Sequence, residues 1–400
     1  MPSISSANKS QKILAIPTHI ITGFLGVGKT STILNLLANK PSNEHWAVLV
    51  NEFGEIGVDG SLLSGQYSEE QGVFISEVPG GCMCCTAGVP MQITLNQLLK
   101  RAKPDRLFIE PTGLGHPKEV LQALSTPHYK DVLHLQKTLT LVDARQLTDE
   151  RYTSHDIFNQ QIAIADVIVG NKADLYQVAD KENLNKYSKK HGKANAQILF
   201  AQQGELLSST KQSDDKLATP ITETLIHLLR NTESAAIPKP IAKLGLIKGF
   251  SQNTIEVSNA NIVAQPHSIT NNSIDNKDKA FESIGWCFPK TTVFNYKKLY
   301  NLLQSIEAQR LKAVFYTDQG IFGYNLNEEK AKSTGDTEKN TEGKIEYILT
   351  EVTLHSALDS RIEVIIHQLN TSPQLKQSMQ NQQENDIKEA LMLCIISEKI

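Results

Sequence analysis

The chain has 400 residues, long enough for two or three domains, and its 40% hydrophobic and 21% charged content suits a globular protein that buries a core. A formal net charge of −3 gives no reason to expect nucleic acid or an anionic membrane as a partner. No apolar run approaches the ~18 residues needed to cross a bilayer, and residues 1–12 are polar with no secretory apolar core, so the expected location is the cytoplasm.

In chain order, the first half alternates short apolar runs with helical periodicity. Residues 16–22 read as a strand ending in a glycine-rich loop. Residues 30–39 read as a helix, with Ile33, Leu34, Leu36 and Leu37 at helical spacing. Strands are expected at 46–50 and 72–78, a helix at 89–101, a strand at 105–109 and a helix at 118–124. A strand at 135–142, a helix at 156–165 and strands at 167–170 and 197–201 follow, the last closing the series. Apolar strands alternating with amphipathic helices predict an α/β fold, a doubly wound and mostly parallel sheet covered on both faces.

From 204 to 279 the pattern dissolves. One helix is expected at 219–229, with Pro220 at its first position, and the Asn-, Ser- and Gln-rich stretch 251–279 reads as linker with room for one strand. Order returns with a strand at 284–288 and a helix at 296–306. A hairpin of 312–316 and 321–324 turns through Thr317-Asp318-Gln319-Gly320. A polar loop at 328–343, strands at 347–355 and 362–366, and a helix at 383–395 complete a smaller α+β unit. The expected division is a disordered N-terminus at 1–12, a nucleotide domain at 13–230, a linker at 231–280 and a C-terminal domain at 281–400.

Gly23-Phe24-Leu25-Gly26-Val27-Gly28-Lys29-Thr30 fits G-x-x-x-x-G-K-[ST] without a mismatch, between a strand and a helix. The glycines let the backbone turn its N–H groups toward phosphates. Lys29 reaches the β- and γ-phosphates, and the Thr30 hydroxyl binds Mg²⁺. Gly23, Gly26, Val27, Gly28, Lys29, Thr30 and Ser31 are therefore the expected phosphate-binding set. Asn171-Lys172-Ala173-Asp174 follows the strand at 167–170. An Asp carboxylate there accepts from the guanine N1–H and exocyclic amine, which adenine cannot offer, so Asn171, Lys172 and Asp174 are the expected base-binding residues for GTP and GDP.

Glu110 ends its strand inside Glu110-Pro111-Thr112-Gly113-Leu114-Gly115. A carboxylate at that point holds Mg²⁺ through water, and the Gly113 N–H donates to the γ-phosphate. Lys29, Glu110 and Gly113 are the expected catalytic residues. Asp143 is a second carboxylate for the same neighbourhood, or an ordinary helix N-cap.

Three of the five cysteines, Cys82, Cys84 and Cys85, fall within four residues, while Cys287 and Cys394 are isolated. Three converging thiolates suit Zn²⁺, Cu⁺ or another soft metal rather than Mg²⁺. The fourth ligand is open between water, Glu55 and His116. Buried structural cysteines and a redox switch are the competing readings.

The phosphate loop, Asn51-Glu52-Phe53-Gly54-Glu55-Ile56-Gly57-Val58-Asp59, Gly81-Cys82-Met83-Cys84-Cys85, Glu110-Pro111-Thr112-Gly113-Leu114 and Asn171-Lys172-Ala173-Asp174 occur in that order. In this the chain is similar to the CobW-type GTPases, relatives of the nickel-maturation GTPases of urease and hydrogenase. Arg310-Leu311-Lys312-Ala313-Val314 and Ser360-Arg361-Ile362-Glu363-Val364 resemble that family's C-terminal domain more faintly. The resemblance implies a glutamate, Glu110, in place of the aspartate common in the second metal-binding motif. It implies metal, commonly zinc, on Cys82, Cys84 and Cys85. It also implies delivery of that metal to a client metalloprotein, with GTP hydrolysis resetting the cycle.

Its cofactors would be GTP or GDP, Mg²⁺ and Zn²⁺, and a nucleotide-dependent homodimer is a candidate assembly. Two departures stand out. Stretch 251–279 holds only His267, where many members have a histidine-rich run. No arginine finger is evident, so slow intrinsic turnover is expected. A regulatory GTPase with structural or redox cysteines is the alternative, and a small-molecule P-loop kinase a third reading that Asn171-Lys172-Ala173-Asp174 opposes. Lys100-Arg101-Ala102-Lys103 reads as a solvated helix end rather than a nucleic-acid patch, since no aromatics interleave with it.

Overall fold

The computed structural model describes residues 15–51, 58–78, 89–202, 205–206, 267–270, 281–330, 345–367 and 373–396. The larger sheet is built from β1 (Ile16–Gly23), β2 (Trp46–Val50), β3 (Val73–Glu77), β4 (Arg106–Glu110), β5 (Leu133–Leu135), β6 (Leu139–Val142), β7 (Val167–Gly170), β8 (Gln197–Gln202) and β9 (Glu205–Leu206). Its order is β3-β2-β4-β1-β6-β7-β8-β9, with β5 also paired to β1. Every pairing from β1 to β8 is parallel, and β9 folds back antiparallel on β8.

Adjacent apolar residues on these strands face opposite ways. Ile21, Val48 and Phe108 join one buried cluster, while Ile20, Leu49 and Ile109 join the other. Both faces are therefore cores, which is why the strands read as unbroken apolar runs. Helices α1 (Lys29–Ala38), α2 (Val58–Ser64), α3 (Val89–Ala102), α4 (Pro117–Leu124), α5 (Glu150–Thr153), α6 (Asp156–Ile164) and α7 (Val178–His191) connect the strands.

The sequence reading departs from this at several places. The strand expected at 135–142 is two strands. The Gln136 N–H still pairs with the Thr18 carbonyl at 2.9 Å, but the Thr138 N–H turns to the Asp166 carboxylate at 2.9 Å and the ladder breaks. β8 is not the last strand, because β9 follows it. α7 went unread because it is polar, with only Leu184 and Ser188 buried; Asp180 accepts from the Gln177 N–H at its start. α2 lies between the strands expected at 46–50 and 72–78, where no helix was read, and packing rather than its own sequence explains it. Its first six residues, Val58 to Leu63, are all buried.

The second sheet is wholly antiparallel. It holds β10 (His267–Thr270), β11 (Phe281–Phe288), β12 (Arg310–Thr317), β13 (Gly320–Lys330), β14 (Ile345–Leu354) and β15 (Ser360–His367) in the order β10-β11-β15-β12-β13-β14. Helices α8 (Tyr296–Ser305) and α9 (Pro373–Leu393) accompany it. β13 runs into the expected polar loop, and α9 begins well before residue 383. The helix expected at 219–229 lies outside the described residues.

Along β12, Leu311, Ala313 and Phe315 pack with Leu299, Leu303 and Leu391 of the two helices. Val314, on the opposite face, packs with Val58 and Leu62 of α2 and with Leu354. The C-terminal sheet thus covers α2, and the His355 N–H donates to the Gly65 carbonyl at 2.8 Å beside it. Among the described residues, no helix is long and apolar enough to cross a membrane.

A buried histidine in β1 gives the fold a pH dependence. His19 is 0% exposed and its Nε2 lies 2.8 Å from Arg106 Nη1. A guanidinium only donates, so Nε2 accepts and the ring is neutral. Burial first, and the Arg106 charge second, lower the His19 pKa to about 3. The unfolded imidazole titrates near 6.5. As the pH falls below that value the unfolded chain takes up a proton that the folded chain refuses, so stability drops by up to ~1.4 kcal/mol per pH unit. His19→Gln is expected to flatten urea-unfolding free energies between about pH 6 and pH 4 by one proton's worth.

Candidate nucleotide site

The phosphate loop leaves β1 and enters α1 without a side-chain cap. Gly28 stands at the helix N-cap with φ 93°. A Cβ there would be strained and would also lie 2.5 Å from Asn171 Nδ2, so only glycine fits. Lys29 folds back on its own loop, its Nζ donating to the Phe24 carbonyl at 3.1 Å. Gly113 lies against Leu25 and Lys29. Its carbonyl accepts from Gln161 Nε2 at 3.0 Å, which ties the Glu110 segment to α6.

Thr30 is the centre of a buried polar corner. Its Oγ1 lies 3.0 Å from Asp59 Oδ1 and 3.1 Å from Glu110 Oε1. A hydroxyl has one hydrogen, so it donates to one of the two carboxylates. Lys312 Nζ donates to the same Oγ1 at 3.0 Å and forms an ion pair with Asp59 Oδ1. Arg310 Nη2 reaches Asp59 Oδ2 at 3.3 Å. Asp59, Glu110, Arg310 and Lys312 are all buried. Two chain-distant cations on β12 therefore meet Asp59 at the start of α1, where the Thr30 hydroxyl also lies against Glu110.

At the other end, Asn171 fastens its turn to the phosphate loop, with Nδ2 donating to the Val27 carbonyl at 2.8 Å. Lys172 takes a left-handed conformation, φ 59°, and opens the short turn Ala173–Leu175. That leaves Asp174 exposed at its rim. Tyr176 hydroxyl bridges the Asn171 and Val142 carbonyls, and burial, helped by the Asp143 charge, keeps the phenol protonated. A cavity of about 640 Å³ joins the two ends. Gly26, Gly28, Lys29, Thr30 and Ser31 line it, as do Asn171, Lys172 and Asp174. Arg310, Lys312 and Tyr324 of the C-terminal sheet form part of its wall.

Gly23 and Val27 are buried beneath this loop. Asp143 caps the turn Ala144–Thr148, accepting from the Arg145 N–H at 3.2 Å and pairing with its guanidinium at 2.6 Å. The capping alternative is the one realised there. His116 precedes α4, half-buried, with Nδ1 3.1 Å from Gln160 Oε1. Cys82, Cys84, Cys85 and Glu55 lie outside the described residues. Among the described residues no group of three or more metal-ligating side chains gathers.

Sequence reasoning missed Asp59, Arg310 and Lys312. Arg310 and Lys312 carried a readable signal: two cations two residues apart in an otherwise apolar strand share a face, and that face meets α2.

The chain matches the CobW/HypB/UreG nucleotide-binding domain over residues 17–200. It is also 37% identical over 308 residues to the zinc chaperone YeiR of Escherichia coli (strain K12), covering 77% of this chain and 85% of that one. The chain belongs to the CobW/HypB/UreG family. The YeiR match is longer than the stretch 17–200, so the likeness reaches beyond the nucleotide-binding domain. Within the family the chain is 34% identical over 185 residues to the zinc chaperone CobW of a Sinorhizobium species, spanning about half of it: 40% of this chain and 51% of that one. It is 29% identical over 192 residues to the zinc-regulated GTPase metalloprotein activator 1 of Dictyostelium discoideum, 40% of each chain.

Proposed function

We propose that the chain binds and hydrolyses GTP and uses that cycle to carry a soft metal, zinc first, to a client metalloprotein. The cavity carries the nucleotide half of this reading, because the phosphate loop and the Asn171 turn stand at its two ends with Asn171 holding them together. The Thr30 corner suits magnesium: one hydroxyl and two carboxylates are hard oxygen donors. Thr30 would hold the ion directly, Glu110 through water, with Asp59 beside them. When bound, magnesium neutralises charge that builds on the transferring phosphate.

The remaining roles fall to groups of this protein itself. Lys29 exchanges the Phe24 carbonyl for phosphate oxygens. The Gly113 N–H faces the terminal phosphate. Asp174 accepts from the guanine edge. Turnover is expected to be slow and confined to GTP, with rates on the order of 10⁻⁴ to 10⁻² s⁻¹. Phosphate release from GTP and from ATP, followed side by side, tests this; equal rates for the two would contradict it.

Cys82, Cys84 and Cys85 are the proposed zinc ligands, with Glu55 or His116 as a fourth. The name of the 37% identical relative, a zinc chaperone, supports zinc as cargo. Coupling to nucleotide is supported by Asn51. Its N–H donates to the Glu110 carbonyl at 2.9 Å, and its Nδ2 lies 3.4 Å from the Val78 carbonyl. The residue that precedes segment 52–57 is thus bonded both to the Glu110 corner and to the strand end that precedes the cysteines. Nucleotide that moves Glu110 would move that root, and metal would change nucleotide affinity by the same factor. Cys84→Ala is expected to abolish zinc-dependent changes in GTP binding while leaving GTP binding itself. A wild-type GTP affinity identical with and without zinc would sink the coupling.

A further inference from the structure

We infer that Lys312 of the C-terminal sheet belongs to the nucleotide site as a tethered cation, standing at the Thr30 corner until magnesium nucleotide displaces it. This rests on the nucleotide reading above. Thr30 Oγ1 and Asp59 Oδ1 are 3.0 Å apart and share the Lys312 ammonium. A hydroxyl that donates one hydrogen and accepts from an ammonium keeps one lone pair, and a metal that takes it sits beside the ammonium charge. Magnesium holds its oxygen ligands at about 2.1 Å and tolerates little distortion of its octahedron. An ion on the Thr30 hydroxyl would therefore crowd the ammonium and add two positive charges beside a third.

The ammonium has a second berth. Lys312 on β12 stands directly opposite Glu363 on β15, and Glu363 is 1% exposed. Facing side chains on paired strands lie within reach of one another. Glu363 Oε1 already accepts from Ser283 Oγ at 2.9 Å, so its carboxylate is held in place. Moving from Asp59 to Glu363, Lys312 stays paired in a dry interface while the Thr30 corner becomes available. Arg310, 3.3 Å from the other Asp59 oxygen, keeps the C-terminal sheet attached to α2 as this happens. Magnesium nucleotide and the Lys312 contact exclude one another, so each weakens the other by one factor.

The test is the magnesium dependence of GDP affinity, read with a fluorescent GDP analogue in the full chain. Lys312→Met keeps most of the length of the side chain and removes its charge. The magnesium concentration giving half the rise in GDP affinity is expected to fall about tenfold, with affinity at saturating magnesium equal or tighter. Lys312→Gln, which still hydrogen-bonds Asp59, replaces it should Lys312→Met not fold. An unchanged magnesium requirement would overturn the inference. So would weaker GDP binding at every magnesium concentration, which would make Lys312 a phosphate ligand. A wild type that binds no GDP at any magnesium concentration would overturn the nucleotide reading itself.

Discussion

Asp174→Ala is expected to lower GDP affinity by about a hundredfold and to remove the preference for guanine over adenine. Two hydrogen bonds from a guanine edge to a carboxylate contribute about 1.5–3 kcal/mol each. Asp174 is exposed, which places the effect at the lower end of that range. The fold is untouched, since replacing an exposed side chain changes stability by no more than about 0.5 kcal/mol. Residual affinity comes from the phosphate loop and is equal for GDP and ADP. Competition of GDP and ADP against a fluorescent nucleotide measures both quantities, and a variant with wild-type selectivity would remove Asp174 from the site.

The second large effect is on stability. Asp59 is the carboxylate shared by Arg310 and Lys312, and all three side chains are at most 10% exposed. Asp59→Ala removes the carboxylate that Arg310 and Lys312 share across the contact between α2 and the C-terminal sheet. Breaking a buried pair of this kind costs about 3–5 kcal/mol, and the loss is expected at the lower end because Lys312 can turn to Glu363, directly opposite it on β15. The double variant Asp59→Ala with Lys312→Met is expected to recover part of that loss, since one of the two cations that Asp59 paired with is gone. Urea unfolding of the two variants separates the terms. A loss below about 1 kcal/mol for Asp59→Ala would mean the contact behaves as a surface pair.

Much of the larger sheet was legible because its order comes from local patterns. Val48, Leu49, Phe108 and Ile109 sit in runs that are apolar on both faces, and Ile33, Leu36 and Leu37 keep helical spacing. The phosphate loop and the Asn171 turn were legible because phosphate and guanine recognition demand particular residues at fixed spacing. What escaped was decided by distant chain. α2 has glycine at position 60 and only seven residues, and it is helical because β12 and β15 cover it. Asp59 stood inside a quoted motif, but its partners lie about 250 residues away, and no spacing rule joins them. α7 escaped for the opposite reason, since its polar surface leaves almost no apolar stripe to read.

Nucleotide state is proposed to govern metal binding. Titrating the reduced, metal-free protein with Zn²⁺ against a competing chelator, once with GDP and once with a non-hydrolysable GTP analogue, tests it most directly. The account predicts tight zinc binding that differs between the two nucleotides by about fivefold or more and disappears in Cys84→Ala. Equal zinc affinity in both nucleotide states, or no tight binding in either, would contradict it.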